Sequence, residues 1–430
     1  MLIRFRVENH RSIRDEQEFS LVASPLSGHA ESLVRVDRYD LDLLRVAAVY
    51  GANASGKSTL FDALSFMRSA VTRSQRSWRP DGGIARVPFA LDSKMSYEPS
   101  LFAIDLVLDG VRYEYGFIVN SSRVLEEWLH AYPKGRKQEW FIRDAARKEE
   151  FSFSRLLAGE NRSISTLTRP NSLFLSAAVQ NNHEALAPIY NWFSRSLSIV
   201  DNRTRSLIEA RVAERCMDDS YRAAVLSMLK SADLGITNLE VEEEVDLADV
   251  VEVVLDMFRG HGDDSLSVDE VPNAIRRSPR VQLKHESGTS DGFALPFDHE
   301  SQGTRTLFSL AGLMVDVLAT GGTLVVDELD RSLHPHLAIE IVNIFNDPTT
   351  NRNNAQLVFN THDTNLLDTS ILRRDQIWFT EKGDDGATRL FPLTDFRARK
   401  YENLERGYLQ GRYGAVPSVR SPDLRKIVGG

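Results

Sequence analysis

The stretch Gly51-Ala52-Asn53-Ala54-Ser55-Gly56-Lys57-Ser58 decides the fold of this chain. It fits the pattern G-x-x-x-x-G-K-[S/T] at every fixed position, and Thr59 follows it directly. The apolar run 45–50 predicts a buried strand before the loop, and residues 57–71 predict a helix after it. This order predicts a phosphate-binding loop, because glycines let the backbone approach an anion and the helix N-terminus faces it.

Two side chains of this loop have predicted roles in binding a nucleoside triphosphate. Lys57 is expected to reach the β- and γ-phosphates, and the Ser58 hydroxyl is expected to bind Mg²⁺. The sequence contains no Asn/Thr-Lys-x-Asp motif of the kind that reads guanine. The expected ligands are therefore ATP and Mg²⁺, held by the backbone and side chains of Gly51 to Thr59.

The second half of the chain contains an apolar run that ends in two acids, Thr323-Leu-Val-Val-Asp327-Glu328. If the run is a buried strand, Asp327 lies at its tip and is predicted to hold Mg²⁺, while Glu328 polarises the attacking water as general base. A strand ending in Asp-Glu is common by itself. Its position after a complete phosphate loop and before Leu333-His334-Pro335 makes the assignment specific.

Two further places have both a plain and a specific interpretation. His362 follows the apolar run 356–360, and it is either a loop histidine without a role or a residue that senses the γ-phosphate. Ser301 and Gly303 precede a long apolar helix, 307–318. Ser301 either caps this helix or belongs, with Gly303, to a degenerate phosphate-binding signature.

Composition limits the class of protein. The chain has 430 residues, 42% hydrophobic and 26% charged, which fits a globular protein of more than one domain. Its one cysteine, Cys216, cannot build a disulfide framework, and this indicates a reducing, cytoplasmic setting. We expect no signal peptide and no membrane span. The net charge of −9 argues against unspecific wrapping of nucleic acid by the whole surface.

The pattern of elements predicts an α/β protein in three parts. Residues 1–180 form an N-terminal ATPase half, in which 100–143 is a β meander with a turn at Asp109-Gly110. Residues 181–280 form a helical insertion that can serve as a dimerisation arm, with an irregular stretch at 259–280. In the C-terminal ATPase half, 281–430, strands alternate with helices, which indicates a mainly parallel sheet.

The order of these motifs resembles the SMC/RecF/OLD branch of ABC ATPases. The opening segment Val7-Glu8-Asn9-His10-Arg11-Ser12-Ile13 is similar to the Asn-Phe-Arg-Ser motif of that branch, with His10 in place of phenylalanine. The resemblance implies a two-lobed ABC-type (SMC/RecF-like) P-loop head with a helical insertion, and it puts Arg11 and Ser12 beside the nucleotide. It also favours the specific interpretation of His362, and of Ser301 and Gly303, which would bind the γ-phosphate held by a second copy.

In ABC ATPases a glutamine also links the two lobes and contacts Mg²⁺. Phe174-Leu175-Ser176 predicts a short strand, and Gln180 after it is our candidate for this glutamine. An ordinary polar surface glutamine is nearly as consistent with the sequence.

The resemblance is closer to bacterial abortive-infection ATPases encoded beside RloB-like proteins. The features that carry it are Val87 to Asp92, Glu127-Trp128-Leu129, Phe174-Leu175-Ser176, Asp327-Glu328 with Leu333-His334-Pro335, and the tail Gly407 to Pro417. It implies a homodimer or higher homo-oligomer that senses infection and controls a separately encoded effector, RloB-like or a nuclease. DNA or a phage component is a possible trigger.

Other functions are less favoured. A RecF-like repair ATPase that binds duplex DNA directly is the main alternative. A nuclease needs clustered acids beyond the ATP site, and the 37 residues after the 371–393 segment are too few for an appended OLD-type nuclease domain. A transporter subunit is disfavoured because the standard Leu-Ser-Gly-Gly-Gln signature is not found.

Overall fold

A mainly parallel sheet carries the phosphate loop at its centre. The computed structural model describes residues 1–201, 203–242, 279–286, 293–396 and 403–416. The central sheet has the strand order β11-β15-β16-β5-β17-β18, in which neighbours are parallel except for the antiparallel pair β17 and β18. Its strands are β5 (Val46–Gly51), β11 (Leu197–Val200), β15 (Thr323–Val326), β16 (Gln356–Asn360), β17 (Ile377–Lys382) and β18 (Thr388–Pro392).

An antiparallel sheet forms the other lobe, with the order β10-β9-β8-β7-β6-β1-β2. Asp109 and Gly110 both have positive φ, 47° and 71°, as a tight hairpin turn requires. The predicted meander and its turn are therefore confirmed. The strands are β1 (Leu2–Glu8), β2 (Gln17–Ser20), β6 (Ser100–Leu108), β7 (Val111–Val119), β8 (Val124–Tyr132), β9 (Gln138–Asp144) and β10 (Phe151–Phe153).

Two smaller sheets complete the described strands. A hairpin joins β3 (Leu33–Val36) and β4 (Leu41–Leu44), and a three-stranded antiparallel sheet has the order β12-β13-β14. The latter consists of β12 (Ile236–Glu242), β13 (Arg280–His285) and β14 (Phe293–Pro296). Of the stretch 259–280, predicted to be irregular, residues 259–278 lie outside the described residues.

Helices cover both faces of the central sheet. Alternate residues of β5 enter two hydrophobic cores: Ala47 and Val49 face the antiparallel lobe and α1, whereas Val46, Ala48 and Tyr50 face the helices of the C-terminal half. The helices are α1 (Lys57–Arg73), α2 (Asn161–Leu167), α3 (Phe174–Gln180), α4 (Ala187–Asn191), α5 (Arg205–Arg215), α6 (Asp219–Ser231), α7 (Gln302–Thr320), α8 (Pro335–Asn346) and α9 (Leu404–Leu409).

The predicted α/β class and the two lobes are confirmed, with two local corrections. The predicted strand at Phe174-Leu175-Ser176 is wrong, because these residues begin helix α3. The region 181–280, predicted to be a helical insertion, contains β11, an edge strand of the central sheet. Both errors concern short apolar runs, whose period does not distinguish a strand from a buried helical turn.

Candidate nucleotide site

The phosphate loop lies between β5 and α1, and the hairpin β17–β18 packs against it. The Thr380 hydroxyl is 2.6 Å from Ser55 Oγ, and Thr388 Oγ1 donates to the Ser55 carbonyl at 2.8 Å. Gly56 has φ 108°, and a Cβ there would collide with the Thr388 side chain. Glycine is therefore required at this position for both backbone conformation and space.

Lys57 lies across its own loop. Its ammonium donates to the carbonyl oxygens of Gly51 at 2.8 Å and Ala52 at 3.0 Å. Burial lowers the pKa of Lys57, and the charges of Asp327, Glu328 and Asp330 oppose this shift. A buried ammonium held only by loop carbonyls can gain a stronger, charge-assisted bond from a phosphate oxygen. The tip of the loop, Asn53 and Ala54, is exposed.

Ser58 and Asp327 meet at the tip of the central sheet. The Ser58 hydroxyl donates to Asp327 Oδ1 at 2.8 Å, across 269 positions of sequence. Burial raises the pKa of Asp327, and the hydrogen bonds from Asn360 and Ser58 oppose this shift. A hydroxyl and a carboxylate in contact beside a phosphate loop are oxygen ligands of the kind that Mg²⁺ prefers. The two predicted metal ligands therefore fit the ion.

Asn360, at the end of β16, connects both acids, and the sequence did not indicate this role. Its side-chain amide donates to Asp327 Oδ1 at 2.5 Å, and its side-chain oxygen accepts from the Glu328 N–H at 2.6 Å. It is fully buried. One asparagine thus fixes the position of the metal-binding carboxylate and the backbone of the predicted base.

Glu328 has a left-handed backbone conformation, φ 60°, which is uncommon for a residue other than glycine. Its N–H is held by Asn360, and its carboxylate accepts from Arg331 at 3.2 Å. The conformation turns the chain sharply after Asp327, so the two acids point to different places. Glu328 is partly exposed, as a residue that contacts a water must be.

His362 is exposed just after β16, and its N–H donates to Asp330 Oδ1 at 3.2 Å. Partial desolvation and the nearby Lys57 ammonium lower the pKa of His362. Both effects favour the neutral imidazole. The structure therefore brings His362 into the electrostatic environment of Lys57.

Arg11 and Ser12 contact the first turns of α1. Ser12 Oγ lies 3.0 Å from Thr59 Oγ1 and 2.8 Å from Thr388 Oγ1. Arg11 Nε donates to Asp62 Oδ2 at 2.5 Å. The structure thus places both residues beside the loop.

A cleft of about 240 Å³ lies beside Ser58 and Asp327. Four residues from the sequence-predicted site line it: Arg11, Ser58, Thr59 and Asp327. The remaining lining residues are Phe61, Asp62, Ile199, Asp201 and Arg203. Sequence reasoning missed Asp62, Asp201 and Arg203, because β11, which places two of them, was not predicted.

Gln180 is not brought to this cleft. It is exposed at the end of α3, and it is not among the described residues that line the cleft. The residue directly after the strand next to β15 is Asp201, and the Asp327 N–H donates to the carbonyl of Val200 at 2.9 Å. Among the described residues, Asp201 lines the cleft together with Asp327, whereas Gln180 does not.

Ser301 and Gly303 lie at the start of α7. Ser301 caps this helix, since its Oγ accepts from the Thr304 N–H at 3.1 Å. A Cβ at Gly303 would lie 2.7 Å from the Ser332 carbonyl oxygen, so glycine lets α7 approach the loop after β15. Neither residue is among the described residues that line the cleft of their own chain.

The comparison with protein families decides the assignment. Residues 46–368 match the model of the family described as "AAA domain, putative AbiEii toxin, Type IV TA system". The chain belongs to this AAA-domain family. The matched range runs from β5 beyond His362, so it contains the loop, both acids and the start of α7. The matched range has the two-lobed α/β fold described above, with the phosphate loop between β5 and α1.

Several solved structures of SMC heads are similar to the AAA-domain chain. One is an Smc head bound to the C-winged helix domain of ScpA, with 12% identity, coverage of 91% of this chain and 96% of that chain, and a TM-score of 0.42. Another is the SMC head domain from Thermotoga maritima, with 12% identity, 91% and 98% coverage, and a TM-score of 0.40. A third is an Smc head domain with an extended coiled coil bound to the C-terminal domain of ScpA derived from Pyrococcus furiosus, with 13% identity, 92% and 97% coverage, and a TM-score of 0.42.

A comparison with curated protein sequences finds no match. Among the residues that the structure describes, no helix is both long and apolar enough to cross a membrane.

Proposed function

We propose that this AAA-domain chain binds and hydrolyses ATP, with two copies closing head-to-tail around two nucleotides. The observation that carries the proposal is the 2.8 Å contact between Ser58 and Asp327. It joins the phosphate loop to the acidic end of β15, which is the juxtaposition that phosphoryl transfer from Mg·ATP needs.

Binding rests on the residues of the loop. The N–H groups from Gly51 to Thr59 and the N-terminus of α1 face the phosphates, and Lys57 exchanges its loop carbonyls for phosphate oxygens. Ser58 and Asp327 would hold Mg²⁺, which neutralises charge on the phosphates when it is bound. Arg11 and Ser12 border the same site from the antiparallel lobe.

Hydrolysis needs a base and a sensor for the γ-phosphate. Glu328 takes the proton of the attacking water, and Asn360 holds the Glu328 backbone so that the carboxylate keeps its place. The neutral imidazole of His362 can donate a hydrogen bond to the γ-phosphate. The resemblance to ABC ATPases supports a site that Ser301 and Gly303 of the second copy complete.

Substitution of the base tests the enzymatic proposal. We expect Glu328→Gln to keep ATP binding, to lower turnover by at least about 100-fold, and to trap the closed dimer. Turnover by colorimetric phosphate release and mass by light scattering measure both effects. Lys57→Ala is the control that loses ATP binding. Unchanged turnover in Glu328→Gln would remove Glu328 from the mechanism.

The biological role that we propose is the sensor or scaffold of a bacterial anti-phage system, in which ATP-driven closure controls a separately encoded effector. The AbiEii description of the family and the resemblance to RloB-associated ATPases support it. Co-expression with the genomic neighbour should give a stable complex. DNA-stimulated turnover with a steep salt dependence, and no bound neighbour, would instead support a RecF-like repair role.

A further inference from the structure

We infer that Arg203 is a nucleotide-binding residue, which donates to the phosphates of ATP from the cleft that it shares with Ser58 and Asp327. This inference rests on the proposed function. Arg203 lies just beyond β11, and its guanidinium reaches Asp62 on α1. It therefore connects the edge of the central sheet to the helix that begins at the phosphate loop.

The backbone around Arg203 is held in place. Asp201 Oδ1 accepts from the N–H groups of Arg203 at 2.9 Å and Thr204 at 2.8 Å, which ties the residues before α5 to Asp201. The direction in which the Arg203 side chain leaves the backbone is thus set before any ligand binds. Such preorganisation lowers the entropic cost of binding.

The Arg203 guanidinium is hydrogen-bonded to carboxylates through Nε and Nη2. Its Nη2 donates to Asp62 at 2.9 Å and to Asp201 at 3.0 Å, and its Nε donates to Asp201 at 3.3 Å. Nη1 has no hydrogen-bond partner among the described residues. The Arg203 side chain is 51% exposed, whereas those of Asp62 and Asp201 are 18% and 15% exposed. The carboxylates hold the arginine and leave a donor open to the cleft.

Asp62 holds a second arginine in the same way. Its Oδ1 accepts from Arg203 and its Oδ2 accepts from Arg11, so one carboxylate brings two guanidinium groups together. His10 also contacts Oδ2, at 2.8 Å. Two arginines so placed can donate to one anion, as in other phosphate sites.

Nucleotide binding by Arg203 variants tests this inference. We expect Arg203→Ala to weaken binding of a fluorescent, non-hydrolysable ATP analogue by at least about tenfold, the loss typical of a charged hydrogen bond. Arg203→Lys should lie between Arg203→Ala and wild type, because lysine keeps the charge but lacks the fork. Arg195→Ala, at an exposed arginine before β11, is the matched control and should bind like wild type.

Failure of the inference about Arg203 can be distinguished from failure of the proposed function. Wild-type affinity in Arg203→Ala, with normal thermal unfolding, would overturn the inference and leave the proposed function standing. No binding by the wild-type chain would overturn the proposed function itself. If Arg203→Ala does not fold, the Arg203→Lys variant decides: wild-type affinity there, together with unchanged KM for ATP, contradicts a direct contact with phosphate.

Discussion

Asn360 illustrates how much of the site depends on one buried amide. It is fully buried at the end of β16, donates to Asp327 and accepts from the N–H of Glu328. The left-handed backbone of Glu328 costs conformational energy, and structure around it must compensate. The Asn360 side chain supplies part of that compensation through a direct hydrogen bond.

Removal of this amide should affect both stability and catalysis. We expect Asn360→Ala to lower the free energy of unfolding by about 1–3 kcal/mol, because the part-buried Glu328 N–H loses its acceptor. Turnover should fall more than ATP affinity, since the base loses its position while the phosphate loop is intact. Chemical denaturation and steady-state kinetics measure these effects. The exposed Asn365→Ala is the control, and an Asn360→Ala variant with normal kcat would contradict the role.

At the scale of single residues, the sequence predicts the contiguous phosphate-loop motif well and the long-range side-chain contacts poorly. The residues from Gly51 to Thr59 are adjacent, so their pattern is visible in the chain itself. The roles of Asn360 and Arg203 come from contacts with residues far away in sequence, for example 141 positions between Arg203 and Asp62. Neither residue type is unusual at the end of a strand, so no local signal exists.

Among the elements, β11 shows where pattern reasoning fails. Leu197-Ser198-Ile199-Val200 is four residues long, follows a helical segment and pairs with β15 as an edge strand. It is shorter than β5 and contains a serine, and the predicted helical insertion at 181–280 included it. Consequently, no sequence pattern places Asp201 beside Asp327, and the pattern favours Gln180 instead.

In contrast to β11, the short helix α9 makes packing contacts that substitutions can test. The Tyr408 ring lies 5.9 Å from that of Tyr50, directly before the phosphate loop, and 5.6 Å from that of Phe379. Glu405 accepts from the Thr364 hydroxyl at 2.7 Å, two residues after His362. The tail thus packs against the strand end and the loop that carry the site.

The two neighbouring residues of α9 allow a matched comparison. Tyr408 is 7% exposed, and Leu409 is 61% exposed. Tyr408→Ala should lower the free energy of unfolding by about 3 kcal/mol, because it leaves a cavity among aromatic rings. Leu409→Ala should change it by less than about 0.5 kcal/mol. Denaturant titration of both variants measures this, and equal stabilities would show that the tail is not packed as described.

At the scale of the whole molecule, the residues of the proposed nucleotide site lie at two separate places in the described chain. Ser58, Thr59 and Asp327 share one cleft, whereas Ser301 and Gly303 lie at the start of α7 and do not line it. Ser301 and Gln302 are exposed. A head-to-tail pair of copies would complete two sites at once, which is the arrangement that a symmetric dimer produces.

Mixing two inactive variants tests this central claim most directly. Lys57→Ala removes the phosphate loop lysine, and Ser301→Arg blocks the start of α7, so each variant alone should have no turnover. In a random mixture, half of the dimers contain one copy of each, with one intact site of two, so turnover should return to about a quarter of the wild-type rate. A mixture that stays as inactive as its components, although both variants fold and dimerise, would contradict a site shared between two copies.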